Sequence, residues 1–159
     1  MINISKVYNQ WKEWACVVYS LVWCCDALWV YLDPLKIVEE TRSKMWAWLR
    51  PQAWLKHFLK MWYIKWYTPV NSWFKIKQAI DKWHPIMCTS QKIDFTATNK
   101  NKVAIFDDTR IWRHNWFIRW YKDNMFICRN SYGEKWWDKW DFYLPLKYRT
   151  KVWQMYEIW

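Results

Sequence analysis

Residues 111–129 run IWRHNWFIRWYKDNMFICR, and their reading decides the fold. Ile111 to Tyr121 is dense in Trp and Ile, side chains that suit a pleated, half-buried surface. Lys122-Asp123-Asn124 supplies a turn, because Asp and Asn bond their own backbone and tolerate positive φ. Met125 to Arg129 resumes as a second strand. The stretch predicts a β-hairpin, and with it a sheet in the C-terminal half.

Outward from this hairpin the strand pattern continues. Upstream, Ile93, Phe95 and Ala97 alternate with Asp94, Thr96 and Thr98, which predicts a half-buried strand. Asn99 to Lys102 suits a hairpin loop, Val103 to Phe106 a further strand, and Asp107-Asp108 a turn. Downstream, Asn130-Ser131-Tyr132-Gly133 reads as the clearest turn of all and holds the only glycine. Trp140 to Leu146 and Lys151 to Trp159 complete an expected sheet over about 91–159, while Trp136 to Trp140 fits helix or strand equally.

Toward the N-terminus the period changes. Ile4, Val7, Trp11, Trp14, Val18, Leu21, Cys25, Leu28 and Leu32 follow alternating steps of three and four, a helical seam. Asp33-Pro34 restarts the chain, with Asp as N-cap and Pro at the first helical position. Pro51 begins another helix, whose Leu55, Phe58, Leu59, Trp62 and Trp66 form one stripe. Asn71-Ser72 can cap a fourth, burying Trp73, Ile76, Ile80 and Trp83. The expected helices span about 5–32, 34–50, 51–67 and 72–83.

Helices first and strands second predict an α+β chain, its N-terminal helices packed on one face of a C-terminal antiparallel sheet. A length of 159 residues suits a single domain. The order of elements resembles, in architecture alone, the cone-shaped nuclear-transport-factor-2-like fold. That resemblance implies a pocket between helices and sheet.

Composition narrows the function. Trp occurs 19 times and Gly once, so Gly-rich phosphate loops and dinucleotide fingerprints are excluded. Abundant aromatics also exclude a disordered chain. A core can absorb them: folding buries roughly 20,000 Å² in a chain of this mass, against about 7,000 Å² for all the aromatics. An AT-rich genome that reads a stop codon as Trp should enrich Phe too, yet Phe is only 7. The expectation is therefore an artificial (de novo or computationally generated) or orphan soluble α+β domain, with no evolved activity, no cofactor and no identified partner.

Two functional alternatives stand beside it. The net charge is +11, and from Thr41 to Ile80 there is no acidic residue. Lys56 and Lys60 lie in that segment. Arg110, Arg113, Trp116, Arg119, Trp120 and Lys122 interleave cations with aromatics, as a nucleic-acid or polyanion surface would. The other alternative is a small-ligand pocket with Asp26 as general base, because a carboxylate among Cys24, Cys25, Ala27 and Leu28 would be desolvated.

The remaining residues with chemistry give less. His114 with Asp107 or Asp108 could pair a base with an orienting group, but no motif places a nucleophile beside them. His84 and Cys88 do not make a metal site, which needs three or four converging ligands. Five cysteines with an adjacent pair form a poor disulfide framework and suit a reducing, cytoplasm-like compartment. Ala15 to Leu32 just reaches membrane-spanning length, but Asp26 opposes insertion. Exposed Trp would favour self-association.

Overall fold

The computed structural model describes residues 1–2, 4, 15–41, 50–91, 102–106, 113–131 and 141–159. Helix α1 (Cys16–Ala27) is buried from Cys16 to Asp26, as befits a helix apolar all round. Helix α2 (Pro34–Thr41) starts as expected: the Leu35 and Lys36 N–H groups donate to Asp33 Oδ1 at 2.9 and 3.4 Å. Helix α3 (Pro51–Lys60) carries Pro at its first position and buries Trp54, Leu55 and Phe58. Strand β1 (Tyr67–Pro69), helix α4 (Trp73–Asp81) and strand β2 (Ile86–Gln91) follow. The expected hairpin forms as β3 (Arg113–Lys122) and β4 (Met125–Arg129), with Asp123 at φ 54° in the turn. Strand β5 (Asp141–Pro145), a 3₁₀ segment (Leu146–Lys151) and β6 (Val152–Ile158) end the chain.

The chain is α+β, with four helices preceding most of a six-stranded sheet. Its strand order is β1-β6-β2-β3-β4-β5, and every neighbouring pair is antiparallel. Two strands, β1 and β2, arise earlier than the expected start near 91. The expected strand at 93–98 lies outside the described residues, and Val103 makes an isolated bridge to Tyr143.

Both faces of the sheet are covered, whereas the sequence suggested one. Met87, Phe117, Tyr156 and Ile158 pack with α1, α2 and α3. Their neighbours along the strands, Cys88, Trp116 and Met155, pack with Ile76, Ala79 and Ile80 of α4. Successive strand residues point to opposite faces, so an apolar run feeds two cores at once. In the first core Trp23 lies against Phe117, ring centroids 5.9 Å apart.

The helix ends differ from expectation for one shared reason. Helices α1, α3 and α4 stop at Ala27, Lys60 and Asp81, each a few residues early. Two residues beyond each stand Trp29, Trp62 and Trp83, at φ 65°, 61° and 66°. Each donates its N–H to the carbonyl three residues back: Asp26, Leu59 and Ile80. The next residues, Val30, Tyr63 and His84, donate to Cys25, Phe58 and Ala79. This paired pattern is the Schellman termination, which normally uses glycine. A residue with a Cβ costs about 1–2 kcal/mol more in that left-handed region.

The same three indoles are 79%, 88% and 57% exposed. The expectation that the indoles chiefly fill the core thus holds for Trp23, Trp54 and Trp116, which are fully buried, and fails for these three and for Trp66 and Trp153. Among the described residues no helix is long and apolar enough to cross a membrane.

Candidate active site

Strand β3 begins, and β4 ends, at one end of the sheet. Cys16, the first residue of α1, meets the sheet there. Asn115 Nδ2 donates to Cys16 Sγ at 3.2 Å, and Asn115 Oδ1 accepts from Thr89 Oγ1 at 2.7 Å. His114 precedes Asn115, so its Cα lies about 3.8 Å from that of the residue touching the sulfur, while strand alternation sends its side chain to the other face of β3 from the Asn115 amide.

His114 is buried, and its Nε2 lies 2.6 Å from Asn130 Oδ1. The Ser131 backbone N–H, which can only donate, also points to Asn130 Oδ1, at 2.8 Å. That contact identifies Oδ1 as the oxygen facing the ring, so Nε2 must carry the proton. Nδ1 of the neutral imidazole is then the proton acceptor. Asn130 and Ser131, the start of the expected turn, are fully buried, and Asn130 supplies the orienting amide; Tyr132 and Gly133 lie outside the described residues.

Burial pushes the Cys16 thiol above its ordinary value, while Asn115 and the backbone N–H groups of Asn115, Val17 and Cys16 pull it back down. Those N–H groups belong in part to the first turn of α1, where they lack partners within the helix and favour negative charge. The Ala15 N-cap makes no side-chain capping bond. A thiol, an oriented imidazole and backbone donors are the parts of a nucleophilic site.

Sequence reasoning found His114 but paired it with Asp107 or Asp108, which lie outside the described residues. It passed over Cys16 because the residue sits in an apolar run, where Cys reads as a small hydrophobe. The one available signal was the order Cys, His, Asn along the chain, with the last two far downstream, an order in which a nucleophile, a base and its orienting group can stand.

The other expected site residues are placed differently. Asp26 is buried near the far end of α1, about 15 Å along the axis from Cys16 at 1.5 Å per residue, so it is not part of this cluster. Trp116 is fully buried, donating Nε1–H to Ser90 Oγ at 2.8 Å. Arg119 is buried and paired with Asp141 at 3.0 Å. These two cannot serve an open polyanion surface, because strand alternation and pairing turn them inward. Trp120 is half-buried, Lys122, Lys56 and Lys60 are exposed, Arg113 opens β3, and Arg110 lies outside the described residues. All five cysteines are buried free thiols, and among the described residues no cluster could hold a metal ion.

No protein-family model matches the chain, and neither does any curated protein. A solved structure does: a Bacillus anthracis protein described as a C39-like peptidase. The likeness covers 97% of this chain and 94% of that one, with a TM-score of 0.62 and 12% identity. It shows the fold. It overturns the expectation of an artificial chain without evolved activity, since the architecture is that of a natural protein along nearly its whole length. It also replaces the resemblance to a cone-shaped fold.

Proposed function

We propose that this protein is a cysteine hydrolase acting on peptide or related amide bonds, with Cys16 as nucleophile, His114 as general base and Asn130 as the group that orients it. One observation carries the reading: the His114–Asn130 bond of 2.6 Å at the sheet end that receives the Cys16 thiol. The likeness to a protein described as a C39-like peptidase supports amide substrates.

The chemistry follows from the proton positions. With Nε2–H committed to Asn130, Nδ1 is the basic nitrogen, and the reading requires the ring to reach the sulfur around the open end of β3, where it takes the Cys16 proton as sulfur attacks the carbonyl carbon. The carbonyl π pair moves onto oxygen, which the first-turn N–H groups of α1 stabilise. Collapse breaks the C–N bond, and the imidazolium returns its proton to the leaving amine. Water then loses a proton to Nδ1, attacks the thioester and releases the acid and the thiol. Because burial holds the resting thiol protonated, proton transfer accompanies attack instead of preceding it.

The test is hydrolysis of a fluorogenic peptide library by the parent chain, Cys16→Ala and His114→Ala. Cleavage by the parent and loss in both variants is expected. Activity that survives in Cys16→Ala would sink the reading.

A further inference from the structure

We propose that Asn115, held by Thr89, stabilises the sulfur anion of Cys16; this rests on Cys16 being the nucleophile. The amide has two ends and both are occupied. Oδ1 accepts from the Thr89 hydroxyl at 2.7 Å, and this directs Nδ2 at Sγ, 3.2 Å away. Asn115 and Thr89 are both buried, on directly paired positions of β3 and β2. A rigid donor aimed at sulfur favours the thiolate over the thiol and keeps its strength where water is excluded. Among the described residues, the downward pull on the Cys16 thiol comes from Asn115 and backbone N–H groups. His114, the adjacent titratable group, is engaged by Asn130 through Nε2.

The test is the rate of Cys16 alkylation by iodoacetamide across pH, read by peptide mass with Cys16→Ala as blank. Asn115→Ala should slow alkylation at fixed pH about tenfold, the worth of a hydrogen bond to a charged group, and move the profile to higher pH. Thr89→Val leaves Asn115 in place but frees its amide to turn. It should give a smaller loss in the same direction, and it serves if Asn115→Ala does not fold. Unchanged rates and an unchanged profile in both variants would overturn this assignment alone. A parent chain whose Cys16 never reacts would overturn it together with the hydrolase reading.

A separate observation carries a second inference. Trp29, Trp62 and Trp83 all occupy the left-handed position of Schellman terminations; Trp29 and Trp62 project into solvent, and Trp83 is 57% exposed with its ring beside that of Trp120. Three repeats of the same residue at this position, in a chain with 19 Trp and one Gly, are not what burial selects, since all three indoles are more than half exposed. A bulky residue there is an outlier, and glycine is the usual occupant. We infer that these positions are built for glycine, and that the gene carries at them a UGA codon decoded as glycine in its own cell. UGA is one base from the glycine codon GGA, and rendering it as tryptophan yields this sequence. Phe codons are untouched, in keeping with a count of 7.

The gene and the native protein decide it. UGA at the three positions, with glycine in the corresponding peptides of protein purified from its source cells, is expected. UGG codons there, or UGA with tryptophan in the peptides, would overturn it. In recombinant protein, Trp29→Gly, Trp62→Gly and Trp83→Gly together should lower the unfolding equilibrium constant by about tenfold per site; a rise would count against the inference.

Discussion

Asn130 shows how much one side chain's orientation fixes. Its Oδ1 is identified by the Ser131 N–H, and that in turn fixes which nitrogen of His114 holds the proton. Removing the amide takes away the acceptor that holds the proton on Nε2 and so keeps Nδ1 as the base. Asn130→Ala should therefore lower peptide hydrolysis by about 10²-fold, the low end of what a positioned base contributes, while KM stays near the parent value. A variant with unaltered turnover would show that the tautomer is held by something else. The sequence did mark Asn130 and Ser131, but as a turn. Asn and Ser favour turns through local bonds, and composition does not reveal that this one is buried against a histidine sixteen residues back.

Among the elements, the β3–β4 hairpin was legible and the helix ends were not. Turn chemistry at Lys122 to Asn124 and aromatic strands on either side are local signals. The ends of α1, α3 and α4 depend on left-handed residues that the sequence writes as Trp. Nothing about Trp announces that conformation. Strands β3, β4 and β5 are also tied by one carboxylate: Asp141 accepts from Arg119 Nη1 and Arg129 Nε, both at 3.0 Å. Burial pulls the Arg119 guanidinium below its ordinary value, and Asp141 pulls it back up. Both arginines are largely buried. Asp141→Asn would remove the carboxylate that the two buried arginines share, and should cost about 3 kcal/mol or more in urea unfolding. A loss below about 1 kcal/mol would place the pair among solvent-screened surface pairs.

Buried thiols give the fold a pH dependence at alkaline pH. Burial pushes Cys24, Cys25, Cys88 and Cys128 above the ordinary 9.0. Below that value folded and unfolded chains both hold these protons, and the contribution to stability is complete. As pH rises past it, the unfolded chain loses protons that the folded chain keeps, so stability falls. The slope is about 1.4 kcal/mol per pH unit for each thiol. The urea midpoint should drop steeply above about pH 9, the free-thiol range, and less steeply in Cys88→Ala/Cys128→Ala. Equal slopes would contradict the assignment.

The amino-acid pattern by itself determined the class: helical periods first, alternating and aromatic strands second, no glycine-rich loop, no disulfide framework. These are properties of residues near one another in the chain, where local geometry does the selecting. Only the tertiary structure decided the site, because Cys16, Thr89, His114, Asn115 and Asn130 come from three separate elements and the loop after β4. Their chemistry exists only where strand pairing and helix packing bring those elements to one end of the sheet.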